Sequence, residues 1–346
     1  MNPVERKPLR NPIIAVIGAT GAVGIVMAQC LEERDFPLAA LRLYASPRSA
    51  GRTMAFKGAA LPVAALDERS FDGVDIALFS AGGAISRDFA PLAVRRGAIV
   101  IDNSSAFRMD ADVPLVVPEI NASAISGHQG IIANPNCVAI IGATALWPLH
   151  RVNPIRRVSM ATYQAASGAG AAAMEELRAS TEAYLAERDF ANRAFPHPYA
   201  FNVFSHNTPV DPATGYNDEE TKVIRETRKI FADDAIRVTA TCIRVPVLRA
   251  HCIALDVECE RRIAAASVRE ILAAAPGLRI VDDAARNHFP MPNEASGQGE
   301  VLVGRIRQDI SDPSGRSIAL FIAGDQLLKG AALNAVQIAE HLLGGR

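Results

Sequence analysis

The chain has 346 residues, 49% of them apolar and 21% charged, with a formal net charge of -1. One hydrophobic core rarely grows that large, so two domains are expected, and the composition excludes a disordered chain. The near-neutral charge argues against a nucleic-acid partner, and no apolar run is long and unbroken enough for a membrane span.

Five cysteines, at positions 30, 137, 242, 252 and 259, follow no zinc or disulfide spacing. They point to a reducing compartment, with no metal expected. Residues 1-11 are polar and are expected to form no regular element. The first ten lack the apolar core of a secretion signal, so a cytoplasmic protein is expected.

Ile13-Ile14-Ala15-Val16-Ile17 reads as a buried parallel strand. Gly18-Ala19-Thr20-Gly21-Ala22-Val23-Gly24 follows at once, then a helical segment from Ile25. Strand, glycines and helix in that order form a dinucleotide site: the glycines permit a tight turn, and the helix N-terminus faces the pyrophosphate. The second strand, Leu41 to Ala45, leads into Ser46-Pro47-Arg48-Ser49. No acidic residue stands there to meet a ribose hydroxyl. Arg48 with Ser46 and Ser49 suits a 2'-phosphate, which favours NADP over NAD. The plain alternative is a solvated polar loop. A strand at 74-79 ends in Ser80-Ala81-Gly82-Gly83, a turn suited to the nicotinamide half of the cofactor. A helix at 85-96 and strands at 98-102 and 130-133 complete an alternating pattern, which predicts a mostly parallel sheet with helices on both faces.

Ala133-Asn134-Pro135-Asn136-Cys137 then meets an apolar helical run to about Leu149. Cys137 is thus placed at a helix N-terminus, where unpaired N-H groups and the helix dipole favour a thiolate. Such a thiolate is a nucleophile for a carbonyl carbon. A buried inert cysteine is the competing reading. A strand from Ile155 ends at Gln164, which is suited to orient a substrate or carbonyl oxygen. Ser167-Gly168-Ala169-Gly170 forms a turn suited to close over the cofactor, and a helix over 171-188 follows. Residues 189-217 show no period and read as loop and turn.

A helix from Asn217 or Asp218 to Phe231 carries Glu219, Glu220 and Lys222; from spacing alone these form a solvated charged face. Strands are predicted at 236-243 and 252-257, with Arg244 and His251 flanking the turn between them. His251 is the best general-base candidate among seven histidines, against an equal chance of a purely structural role. A helix at 267-275 and strands at 278-281, 301-306 and 317-322 make the second domain a mixed or antiparallel sheet with helices on one face. A final amphipathic helix over 331-343 is introduced by Lys329-Gly330.

With these pieces in place, nearly the whole chain resembles the aspartate-β-semialdehyde dehydrogenase family. The resemblance rests on Gly18 to Gly24, Asn134-Pro135-Asn136-Cys137, Tyr163 to Gly170 and Glu219-Glu220-Thr221-Lys222. It rests further on Ile243-Arg244-Val245-Pro246-Val247 with His251, and on Lys329 to Glu340. It implies an α/β fold: an N-terminal Rossmann-like NADP-binding domain over 1-137, completed by the C-terminal helix 330-346, and an α+β catalytic and dimerisation domain with a mixed sheet over 138-329. It implies Cys137 as nucleophile, His251 as acid/base and Gln164 positioning the acyl intermediate. Arg244 would bind the substrate carboxylate and Glu219 its ammonium. Arg108, Lys222 and Asn136 would bind phosphate. Two departures stand out. Gln326 and Leu328 occupy positions where the family commonly has Asn and Arg, which leaves the contact of Gln326 with the nicotinamide amide open. The Phe204-Ser205-His206-Asn207 loop resembles one branch only.

The implied chemistry reduces L-aspartyl-4-phosphate to aspartate 4-semialdehyde with NADPH. The Cys137 thiolate displaces inorganic phosphate, and the resulting thioester is reduced. Family members serve synthesis of lysine, threonine, methionine, isoleucine and diaminopimelate as homodimers or homotetramers. The rivals are another acyl-phosphate reductase, such as N-acetyl-γ-glutamyl-phosphate reductase, and a non-catalytic nucleotide-binding paralogue.

Overall fold

The computed structural model describes residues 10–344. Most of the expectation of an irregular segment at 1-11 therefore lies outside the described residues, as do the last two residues of the expected C-terminal element. The chain divides into two compact units, Met1–Pro135 with Ala331–Arg346, and Asn136–Gly330.

The first unit opens with β1 (Ile13–Ile17), α1 (Ala22–Glu33) and β2 (Ala40–Ala45). β3 (Thr53–Phe56) and β4 (Ala59–Ala65) follow as an antiparallel hairpin. This hairpin carries weak apolar alternation and was not expected. Its turn is Lys57-Gly58, both at positive φ (47° and 76°), the pairing that a two-residue turn requires between twisted strands. Then come β5 (Ile76–Phe79), α2 (Gly83–Arg95), β6 (Ile99–Asp102), the short α3 (Pro118–Asn121) and β7 (Ile131–Ala133). The sheet order is β3-β4-β2-β1-β5-β6-β7, parallel except at the hairpin. Successive connections leave β1 in opposite directions. The carboxyl end of β1 is thus the switch point at which such sheets bind ligands.

The second unit begins with α4 (Cys137–Val152), which contains Pro148 and runs three residues beyond the expected end near Leu149. It is apolar and buried on nearly every side, as a central helix must be. Next are β8 (Ile155–Gln164), α5 (Ala171–Leu185), the two-residue β9 (Phe204–Ser205), α6 (Asp218–Phe231), β10 (Arg237–Arg244) and β11 (His251–Cys259). The unit closes with α7 (Ala265–Ala273), β12 (Leu278–Ile280), the short α8 (Pro292–Ala295), β13 (Val301–Gln308) and β14 (Ser317–Gly324). The strands form one mixed sheet, β12-β13-β14-β11-β8-β10-β9. α4, α6 and α7 pack against it and α4 touches both other helices. α9 (Leu333–Leu342) belongs to the first unit and packs on α1, α3 and β6.

Candidate active site

In the first unit, backbone geometry explains the glycine loop. Gly18 sits at φ +85°, and a Cβ there would lie 2.9 Å from the Ser80 backbone. A Cβ on Gly24 would come within 2.2 Å of the Gly18 carbonyl oxygen. The N–H groups of Gly18 and Ala19 both donate to Tyr44, at 2.8 and 3.0 Å, which ties the loop to the end of β2. α1 starts at Ala22 and its N-cap, Gly21, supplies no side-chain cap, so the first-turn N–H groups of Ala22, Val23 and Gly24 are left at the positive end of the helix dipole. This is a cradle shaped for a pyrophosphate. Ser46 and Arg48 are exposed in the loop after β2. Ser80 donates to the Ile17 carbonyl at 3.1 Å, and Gly82 caps α2 at φ +90°. Arg108 is buried; its Nε donates to the Asn134 carbonyl (3.0 Å) and an Nη to the Asn103 carbonyl (2.7 Å). Asn134 in turn donates to the Asn103 side chain at 2.7 Å.

In the second unit, Cys137 is the first residue of α4 and is half-buried, whereas the other four free cysteines are buried. The first-turn N–H groups are less open than the sequence suggested. The Asn136 side-chain oxygen accepts from Val138 (2.9 Å) and Ala139 (3.3 Å), and the Arg244 guanidinium interacts electrostatically with the Cys137 thiol. A Cβ on Gly330 would lie 2.9 Å from the Cβ of Cys137, so the chain passes close over the cysteine only because that residue is glycine.

Glu219 joins these parts. Its carboxylate accepts from the Asn136 amide (2.9 Å) and from the Gln164 amide (3.2 Å), and Lys222 lies 3.8 Å away. The expectation of a solvated charged face on α6 is therefore overturned: Glu219 is 6% exposed and Glu220 8%. Glu220 forms a capping box with Asn217 and also accepts from the Cys242 N–H at 3.0 Å. Helical spacing showed which residues share a face, but not that this face turns inward. Burial pushes the Glu219 pKa up, but His206, Asn136, Lys222 and Gln164 outweigh it and hold the carboxyl below its usual range. Of these, the two amides and Lys222 act at neutral pH, where His206 is uncharged.

Gln164 ends β8, and its oxygen accepts from Thr162 at 3.0 Å. Parallel pairing places it opposite Arg244 at the end of β10. The next residue, Ala165, serves both basic residues. Its N–H donates to His251 Nδ1 (3.0 Å) and its carbonyl accepts from Arg244 Nη1 (3.2 Å). His251 is fully buried, and its Nε2 has no protein partner among the described residues. Because Nδ1 accepts, the neutral ring carries its proton on Nε2. Burial, then Arg244 and His206, hold its pKa well below the ordinary histidine value. At neutral pH His251 thus presents an unsatisfied donor, the polarity needed to stabilise a developing oxyanion. A Cβ on Gly168 would lie 2.9 Å from that ring, so the turn after Ser167 lies directly against it. Gln326 accepts from the Ala250 N–H at 2.9 Å and donates to Ser167 Oγ, so both ends of its amide are engaged within this unit. Among the described residues no cluster of three or more His, Cys, Asp or Glu is placed to hold a metal.

Several contributors had no sequence signal. Phe195 lies under the Arg244 guanidinium, 5.5 Å from its ring centre. Glu176 holds the loop carrying Phe195 by accepting from three successive N–H groups, Arg193, Ala194 and Phe195. Tyr199 donates to the Val245 carbonyl at 2.8 Å, and burial pushes its pKa to about 12. The segment 189–217 has no period because, apart from the two-residue β9, its residues serve these contacts rather than a regular element.

Two family models match the chain: Semialdehyde dehydrogenase, NAD binding domain, over residues 13–128, and Semialdehyde dehydrogenase, dimerisation domain, over residues 146–329. The chain is 53% identical over 334 residues to aspartate-semialdehyde dehydrogenase of Synechocystis, covering 96% of this chain and 98% of that one. The crystal structure of aspartate semialdehyde dehydrogenase II from Vibrio cholerae superposes with a TM-score of 0.93 at 43% identity, covering 96% of this chain and 99% of that chain. The same Vibrio enzyme complexed with ASA superposes equally well, with a TM-score of 0.93 at 43% identity, covering 97% of this chain and 99% of that chain.

Proposed function

The chain belongs to the aspartate-semialdehyde dehydrogenase family, and from this we propose that it catalyses the reversible reductive dephosphorylation of L-aspartyl-4-phosphate to L-aspartate 4-semialdehyde, with NADP(H). The observation that carries this reading for the chain's own residues is the Glu219 carboxylate. It is buried and hydrogen-bonded both to Asn136, next to Cys137, and to Gln164. A negative charge held there, with Arg244 nearby in the same unit, suits a small substrate bearing both an ammonium and a carboxylate.

Cys137 attacks the acyl phosphate carbon. The C–O bond to phosphate breaks, inorganic phosphate leaves and a thioester forms. A nicotinamide cofactor, when bound, would supply the hydride that reduces the thioester; the C–S bond then breaks, returning the Cys137 thiolate and releasing the semialdehyde. Gly18, Thr20, Gly21, Ala22, Val23 and Gly24 would hold the cofactor's pyrophosphate, and Ser46, Arg48 and Ser49 would receive a 2'-phosphate. In the first unit Ser80, Ala81 and Gly82 would contact the cofactor; in the second, Ser167 and Gly168 are the cofactor-binding candidates. Gln326, whose amide engages Ala250 and Ser167, would meet the nicotinamide amide from beside the Ser167 turn. His251 donates through Nε2 to the oxygen that gains charge, and Gln164 orients the same group. Arg244 holds the substrate carboxylate and Glu219 its ammonium, while Arg108, Lys222 and Asn136 receive phosphate. Five free cysteines fit a reducing cytoplasm, and the dimerisation domain fits a homodimer or a tetramer of dimers.

A substrate panel tests the reading. Phosphate-dependent NADP reduction is expected with aspartate semialdehyde and not with N-acetylglutamate semialdehyde. The opposite preference would reassign the protein to the acetylated substrate. Activity with neither would leave a nucleotide-binding protein without this chemistry.

A further inference from the structure

Arg244 and His206 lie 2.7 Å apart, from Nη2 to Nε2. A guanidinium can only donate, so Nε2 accepts and the neutral His206 ring carries its proton on Nδ1. That proton has a receiver, because Nδ1 lies 3.2 Å from Thr208 Oγ1. The same hydroxyl oxygen accepts from the Glu219 N–H, also at 3.2 Å. An unbroken chain thus runs from Arg244 through His206 and Thr208 to the backbone of Glu219, all within one unit. The short β9 creates it: Phe204 pairs with Arg244, and the His206 N–H donates to the Cys242 carbonyl at 2.8 Å.

The donor count sharpens the point. Arg244 Nε faces Asn207 Oδ1 at 3.5 Å, Nη1 donates to Ala165 and Nη2 to His206. Of five N–H groups, one on each terminal nitrogen is left, enough to meet the two oxygens of a carboxylate. His206 is buried at 7% exposure, and burial followed by Arg244 pushes its pKa down to about 4, so it stays an acceptor at neutral pH.

We propose that His206 and Thr208 are positioning residues that set the distance between the carboxylate-binding Arg244 and the ammonium-binding Glu219, and thereby select substrates that carry both groups. The assignment rests on the reading of function given above. Neither residue touches the reacting atoms. Their effect is that substrates lacking the ammonium group cannot use the two ends together.

The test compares kcat/KM for aspartate semialdehyde with that for succinate semialdehyde, which keeps the carboxylate and lacks the ammonium. His206→Ala is expected to raise the KM for aspartate semialdehyde about tenfold or more and to shrink the preference between the two aldehydes by a similar factor. The KM for phosphate should stay within about twofold. His206→Gln, whose amide oxygen reaches the Nε2 position, should recover most of the preference, and Thr208→Ser should retain it where Thr208→Val does not. Nitrogen NMR of the holoenzyme should show His206 protonated at Nδ1 and bare at Nε2 near neutral pH. An active wild type with an unchanged preference in His206→Ala overturns the proposal alone. Equal losses on both aldehydes overturn the spacing role. A wild type inactive with aspartate semialdehyde overturns the underlying function as well.

Discussion

The carboxylate of Glu226 accepts a hydrogen bond from the backbone N–H of Asn136 at 2.5 Å, across 90 positions of sequence. Both groups are buried, and the bond fastens the N-cap of α4 to α6 one residue before Cys137. Removing the acceptor leaves a buried N–H without that partner. Glu226→Ala should therefore lower stability by about 1–3 kcal/mol in urea unfolding and slow alkylation of Cys137 by iodoacetamide. Glu226→Gln keeps an acceptor oxygen and should lose less of both.

Cys137→Ala should abolish steady-state turnover while nucleotide affinity, followed by fluorescence titration, stays within about twofold. Retention of substantial turnover would remove the covalent role. Intact-mass analysis of the wild type with acyl phosphate and no reduced cofactor should reveal the trapped adduct.

Arg244→Lys keeps the charge but loses the planar fork that contacts Ala165, Asn207 and His206. The expected result is a KM for aspartate semialdehyde raised by about tenfold to a hundredfold, with nucleotide KM little changed. Unchanged semialdehyde kinetics would exclude the clamp.

Gly24→Ala places a methyl group 2.2 Å from the Gly18 carbonyl oxygen, and both partners are backbone. The loop must shift, so NADP binding should fall by at least about tenfold in calorimetry. Gly82→Ala meets no neighbouring atom, but its φ of +90° strains any side chain, so it should destabilise the α2 start more than it blocks the nucleotide.

Stability should depend on pH through the buried histidines. His206 has its pKa pushed to about 4 and His251 lies well below the ordinary value, both chiefly by burial. In the unfolded chain each takes up a proton near 6.5, so between that value and the folded one the unfolded state binds more protons. Stability should hold above about pH 7 and fall as pH drops from about 6.5 towards 4, with His206 alone contributing on the order of 3 kcal/mol. Urea midpoints from pH 8 to pH 4 measure this, and His206→Gln should flatten part of the slope. A midpoint that rises on acidification would contradict the depressed pKa values of both histidines.

Where local signals were strong, sequence and structure coincide. α6 spans Asp218–Phe231 because Asn217 and Glu220 cap it reciprocally and its charges suit the dipole at each end. The strand–glycine–helix order at 13–33 is equally local. The β3–β4 hairpin escaped because a lysine precedes the glycine of its turn and its strands are half exposed. The loop at 189–217 was legible only as irregular, since its contacts with Arg244 depend on partners about forty to fifty residues away.

Sequence alone determined the cysteine at a helix start, the strand–glycine–helix order that opens the first unit and the residue types available for the proposed acid, base and clamp. Each of these depends on near neighbours and on side-chain chemistry. Only tertiary structure decided that Glu219 faces inward, that His251 carries its proton on Nε2 and His206 on Nδ1, and that His206 meets Arg244. Those outcomes depend on sheet register and burial, which bring together groups distant along the chain and remove them from water.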